Sequence, residues 1–401
     1  MSFNADASRL VTAGVDRTYR VWNLADDRLE AAFEASVTSP KAAHSTASVL
    51  GARFSPDGTQ ILTAAGSELK VLRVGREPLL EELGAGIGAM SARLSASERY
   101  VALVTQGEAR VEIWDLATHA RVASRQLGKV LWDVSWSPDD RHLVTCGSEG
   151  RVLLLSRDGT LVRSFEGHAA GESVNRAAWN PDGTRIITTS DDHTARIWNV
   201  ATGEALVLRH PHRVLGSSWS ADSSRVATAG WDGALRVWDA TTGTVLTTIH
   251  DDELRFLDVG LSPDGTRIAA SSHAGVVAVW DLASGRRVLS LNGHTGPVTA
   301  VVWSPDGTRL ASSSSDGSAR VWDAATGRQV AVRPNRGEGL QVSWNRAGTQ
   351  IIVAAGDPAQ TVRIWDVAPD RRPLAALVEL VASWIRWKLV DGRLEVASLA
   401  Q

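Results

Sequence analysis

The chain has 401 residues, with 42 Lys and Arg against 45 Asp and Glu and a formal net charge of −3. Both signs are interspersed, which gives no electrostatic case for nucleic acid or for a membrane surface. The lone cysteine, Cys146, excludes an internal disulfide and points to a reducing compartment. No apolar run approaches the roughly 18 residues needed to span a bilayer, and no signal-peptide succession opens the chain. The sequence therefore reads as a soluble, cytoplasmic protein. Arg outnumbers Lys by 38 to 4, a compositional hint of a GC-rich, bacterial genome.

In chain order, Phe3 to Leu10 aligns with Trp303 to Leu310, so the chain begins at the end of a first strand. A first repeat runs through Trp22 to an outer strand near Phe33, and 36–48 reads as a polar insertion. Repeat two has the turn Ser55-Pro56-Asp57-Gly58 and closes near Leu83. The glycines at 84, 86 and 88 have the wrong spacing for a nucleotide loop and read as a connection. Seven further repeats follow, and their period is the main signal. Trp-Asp or Trp-Asn recurs at Trp22, Trp114, Trp198, Trp238, Trp280, Trp322 and Trp365, with Leu72 and Leu155 in the frame of the missing two. From Leu72 onward the spacings are 42, 41, 43, 40, 42, 42 and 43 residues. A second landmark keeps step at Phe54, Trp136, Trp179, Trp219, Trp303 and Trp344, mostly before Ser-Pro-Asp or a near variant. Each period holds four strand signals separated by Gly- and Asp-bearing turns. Such a unit cannot bury its apolar faces alone and must stack on copies of itself. Beyond Asp366 the pattern changes. Residues 373–384 show apolar spacing expected of a helix, and 387–396 reads as a hairpin on Asp391-Gly392.

These landmarks resemble the WD40-repeat family over about 370 of the 401 residues. The resemblance implies an all-β propeller of four-stranded antiparallel blades around a channel. The expected arrangement is one ring of nine blades over 1–370, followed by a C-terminal cap at 371–401. The alternative is a seven- or eight-bladed ring with N-terminal repeats appended.

His, Ser and Asp recur together, which brings nucleophilic catalysis to mind. In the family the same residues resemble a structural tetrad in which a turn Asp holds His, and His meets Ser or Thr and then the Trp ring nitrogen. Three sets match: His168, Thr188, Asp192 and Trp198; His210, Thr228, Asp232 and Trp238; His294, Ser312, Asp316 and Trp322. A device repeated three times suits structure better than catalysis, since buried polar groups normally form satisfied networks. His210, His212 and His250 lack the Cys or paired acid that would make a metal site. No catalytic residue, cofactor or metal is expected.

Trp231 and Trp132 stand outside both landmark series. Trp231 precedes the turn residue Asp232, and Trp132 opens an inner strand at the position aligned with Asn175, Leu215, Arg255 and Thr299. The resemblance places both at the narrow end of the ring. Aromatic and Arg side chains dominate interaction hot spots. The candidate partner-binding set is thus Trp231, Arg213, Arg255, Glu253, Asp191, Asn175 and Trp132, with simple packing as the competing role. The expected function is a non-enzymatic scaffold that binds protein or peptide partners on its loop faces, with no nucleic acid and no membrane. The alternative is the sensor or regulatory portion of a larger bacterial kinase, protease or NTPase, of which this would be the C-terminal part.

Overall fold

The computed structural model describes the strands along the chain and the side chains of residues 90 to 367, apart from short loops at 106–108, 119, 334–338 and 355–361. The chain divides into two compact units, Leu79–Ala368 and the segments Met1–Pro78 with Pro369–Gln401.

The larger unit is a propeller of seven blades, each a four-stranded antiparallel sheet. Blade one uses Ala89–Leu94, Tyr100–Thr105, Arg110–Asp115 and Ala120–Gln126. Blades two to six follow in chain order over 131–165, 174–209, 214–250, 256–292 and 298–334. Blade seven takes Gly339–Trp344, Gln350–Ala355 and Thr361–Asp366 from the end of the ring, and its fourth strand is Leu79–Leu83 from the beginning. The register of that last pair is Val362 with Leu83, Arg363 with Glu82 and Ile364 with Glu81.

This pairing corrects the expected ring of nine. The strand that completes repeat two by sequence pattern instead completes repeat nine in space. Repeats three to nine therefore close on themselves as seven blades, and the ring occupies 79–368 rather than the whole of 1–370. The other unit holds a four-stranded sheet (Ser2–Phe3, Arg9–Ala13, Thr18–Asn23, Arg28–Glu34) and a three-stranded one (Val49–Phe54, Gln60–Ala65, Glu68–Arg73). It also holds the hairpin of Trp387–Val390 with Arg393–Val396. The helix expected at 373–384 and the insertion at 36–48 lie outside the described residues. Among the described residues there is no α-helix.

The apolar core lies between blades rather than within them. Each neighbouring pair shares one cluster, such as Ala227, Leu235 and Val237 of blade four with Phe256, Val259 and Trp280 of blade five. The closing cluster joins Ala92, Val101 and Leu103 of blade one to Ile352, Ala354, Val362 and Ile364 of blade seven. A strand buried on both faces needs apolar residues at successive positions, which is why second strands such as 143–147 and 268–272 read as nearly continuous apolar and small residues.

Two polar stitches run from blade to blade. The indole N–H of four of the five landmark first-strand Trp residues donates to a carbonyl of the preceding blade: Trp136 to Arg93 (3.1 Å), Trp219 to Ala178 (3.2 Å), Trp303 to Gly260 (3.0 Å) and Trp344 to Val302 (3.3 Å). The Arg that opens the second strand reaches the other way. Arg185, Arg267 and Arg309 place their guanidinium groups 5.1, 5.4 and 4.9 Å from the ring centres of Trp219, Trp303 and Trp344 on the following blade. Arg185 and Arg267 then donate to the carbonyls of Ala240 and Ala324, both at 2.8 Å, and Arg309 to that of Val367 at 2.7 Å. The repeated turn between these elements fits the same seam: Gly348, at φ +66°, presents its Cα to Pro305 of the preceding blade. The near-identity of the Ser-Pro-Asp-Gly turns thus has a packing cause.

Trp179 is the exception, for its indole N–H is buried without a partner. Trp303→Phe should therefore cost about 1 kcal/mol more than Trp179→Phe, because only the former leaves a carbonyl without its donor. Urea denaturation of the two variants measures the difference, and equal losses would contradict the stitch.

Candidate interaction surface

The turn between the second and third strands carries the tetrad Asp in blades three, four and six. In blade three the Trp198 indole N–H donates to Thr188 Oγ1 (2.8 Å), which lies 2.7 Å from His168 Nε2, while His168 Nδ1 is 2.8 Å from Asp192. Blade six repeats this with Trp322 to Ser312 at 2.9 Å, Ser312 to His294 at 2.8 Å and His294 to Asp316 at 2.9 Å. An indole N–H can only donate and a carboxylate can only accept, so the chain of donors runs from Trp to hydroxyl to His to Asp. Burial alone would raise the Asp192 and Asp316 carboxyls. The hydrogen bonds from His168 with Thr194, and from His294 with Ser318, instead hold both below the usual carboxylate range. Thr188 and Ser312 are fully buried.

The set expected in blade four is assembled differently. Trp238 still donates to Thr228 (2.8 Å), but Asp232 pairs with Arg236 (2.6 Å), and His210 Nε2 is buried without a partner. Three local residues explain the change. In blades three and six the backbone N–H groups of Ala169 and Thr295 donate to the tetrad Asp, whereas Pro211 has no N–H to give. Thr194 and Ser318 donate to that Asp where blade four has Ala234. Ser190 and Ser314 accept from the Asp backbone N–H where blade four has Gly230. With those anchors gone, Arg236 takes the carboxylate.

Trp231, immediately before this altered turn, is half-buried. Its backbone N–H donates to the Arg213 carbonyl (2.9 Å), and the Arg213 guanidinium lies 4.1 Å from its ring centre. His273 of blade five meets the ring edge-on at 6.4 Å. Arg255 is exposed and lies over the next turn residue, close to Gly233. Glu253 is exposed on the adjoining loop. Asn175 and Asp191 are engaged with each other (2.9 Å), and Asn175 also donates to the Val214 carbonyl of blade four (3.0 Å). These two are seam residues between blades three and four.

Trp132 is not gathered with the others. It stands on blade two, half-buried, with its indole N–H lacking a partner. The ladder skips one residue near the start of each first strand from blade two onward, and Trp132, Asn175, Leu215, Leu257, Thr299 and Leu340 occupy that bulge. Leu257, not Arg255, therefore matches Trp132. Arg255 instead matches Arg213, since the Trp231 and His273 backbone N–H groups donate to the carbonyls of Arg213 and Arg255 respectively.

A group of charges on the inner strands lies outside the expected site residues. Asp133, Arg176 and Asp258 each stand three residues before the first-strand landmark position, and Arg93 sits on blade one. Arg176 pairs with Asp258 at 3.5 Å. Charged residues inside apolar first strands were the available signal.

Stacked sheets, seven blades and buried Trp-hydroxyl-His-Asp chains define a repeat propeller. Five of its repeats, at residues 124–155, 159–199, 205–239, 243–281 and 285–323, match the WD40 family model described as WD domain, G-beta repeat. Protein HIR1 of Mycosarcoma maydis is 27% identical over 207 residues, covering 50% of this chain and 18% of that protein. Protein groucho of Drosophila melanogaster is 32% identical over 109 residues, covering 26% and 15%. Actin-interacting protein 1 of the same fly is 39% identical over 74 residues, covering 18% and 12%. The chain thus spans less than a fifth of each of these relatives. All three are eukaryotic, and the bacterial origin suggested by the Arg bias finds no support among them.

Burial pushes the His210 imidazole down to about 3 from its ordinary 6.5, with Arg236 adding to the effect and Asp232 opposing it. His210 is therefore neutral in the fold and protonates first in the unfolded chain. Its contribution is present above pH 6.5 and is lost as pH falls from there toward 3. Between pH 7 and pH 5 it amounts to on the order of 2 kcal/mol. Denaturation midpoints at the two pH values should fall more for the wild type than for His210→Gln. Equal falls would show that His210 protonates in the folded protein.

Proposed function

We propose that this protein is a non-enzymatic interaction platform whose principal partner site is the end of the ring carrying Trp231. The observation that carries this reading is the Trp231–Arg213 stack, a half-buried aromatic and a cation 4.1 Å apart on a turn of a rigid blade. Trp and Arg are the side chains most enriched at interaction hot spots. The stack orders both before a partner arrives, which lowers the cost of binding. Arg255 and Glu253 supply exposed charges of both signs beside it, suited to a protein or peptide surface. Membership in a repeat family whose relatives include groucho and HIR1 supports the scaffold class. Nothing in those relatives favours a regulatory portion of a kinase, protease or NTPase.

Trp231→Ala should weaken a partner retained by the wild-type protein by about 2 kcal/mol, close to thirtyfold in Kd. Titration of that partner, beside urea denaturation of the same variant, tests this. Unchanged affinity, or a large loss of stability alone, would assign Trp231 to packing.

A further inference from the structure

The first strands of blades one to six line an open cavity of about 370 Å³. That volume lies within the range of small-ligand pockets. Arg93, Asp133, Arg176 and Asp258 contribute its charges. It extends to the turns at Ser262–Pro263 and Ser304–Pro305, which join first to second strands, and so reaches the end of the ring opposite Trp231.

The hydrogen-bond capacity of these groups is used unevenly. Asp133 accepts from the Ser91 hydroxyl (2.7 Å) and from the Ala177 backbone N–H (3.3 Å) of the neighbouring blades. Asp258 accepts from the Val301 backbone N–H (3.2 Å) and faces the Arg176 guanidinium at 3.5 Å. Both carboxylates are thereby supplied with donors. Donors, by contrast, are left over. A guanidinium carries five N–H groups. Among the described residues the Arg93 guanidinium makes one hydrogen bond, a long one of 3.4 Å to the Val342 carbonyl, and no carboxylate lies within ion-pair distance of it. The Ser217 hydroxyl, also on the wall, is buried without a partner. The two guanidiniums balance the two carboxylates, so the cavity presents no net anionic field. Its spare capacity is for acceptors.

We propose that this cavity binds a carboxylate on a short apolar stem, clamped by Arg93 with Arg176 alongside. A guanidinium matches the two oxygens of a carboxylate in a paired geometry. The walls made by Val302, Pro263 and Pro305 suit one or two methylenes behind it. Such a group comes either from a free small dicarboxylate or from an acidic side chain of a docked peptide. The site is separate from the Trp231 surface, and neither reading depends on the other.

Calorimetric titration of the full chain at constant ionic strength tests the proposal with three probes: succinate, succinamide, and an acetylated, amidated Ala-Ala-Asp-Ala peptide. The expected result is saturable one-to-one binding of succinate, of the peptide or of both, with none of succinamide. Arg93→Gln should weaken binding at least tenfold at an unchanged denaturation midpoint. Ala221→Trp, at the exposed rim of the cavity, should block entry without altering the charges, and it serves if Arg93→Gln does not fold. Tighter binding of the peptide would identify a protein partner as the source of the carboxylate, and tighter binding of succinate a free metabolite. Absence of saturable binding by either carboxylate, or binding that survives both variants, would overturn the proposal.

Discussion

Everything in the larger unit depends on closure. A blade has two apolar faces, and an open row of blades would always leave one face at each end in water. The cluster between blade one and blade seven removes both ends at once. It is held in place by the pairing of Leu79–Leu83 with Thr361–Asp366, so the last blade is built from both ends of the ring. The same arrangement leaves the sheet at 49–73 with three strands.

Within the closed ring the interfaces are not all alike. Arg185, Arg267 and Arg309 of blades three, five and six each cover the first-strand Trp of the following blade. The buried Trp-hydroxyl-His-Asp chains stand in blades three and six. Blade four, between them, carries the altered tetrad and the Trp231–Arg213 stack on adjacent residues of one turn. The departure from the repeat's structural pattern and the proposed contact surface therefore coincide. A turn released from a structural duty is free to vary in side chain while its neighbours hold the scaffold.

Much of this was legible in the sequence, because it is local. The two Trp series and the Gly- and Asp-bearing turns mark strands by short-range pattern, and all nine expected second strands, from Arg9–Ala13 to Gln350–Ala355, are strands. The blade count was not legible, because the fourth strand of repeat two looks the same whether it pairs with its own repeat or with Thr361–Asp366. That choice is made across nearly the whole ring. The altered tetrad was legible in principle: its four named residue types match the other sets, but Pro211, Ala234 and Gly230 each remove a group that those sets use. The mismatch of Arg255 with Trp132 has a different cause. The landmark Trp from which the position is counted is replaced by Leu261 in that blade, and the residue four before it is Leu257.

The most direct test of the account is hydrogen exchange at the closing strand. Amides of 79–83 and 361–366 should be protected in the native protein to the same degree as those of another outer pair, Ser318–Asp323 with Gln329–Pro334. Protection should be lost from both closing segments together on unfolding of the ring. Exchange of 79–83 at the rate of unstructured chain, with 361–366 still protected, would contradict a seven-bladed ring closed by this strand.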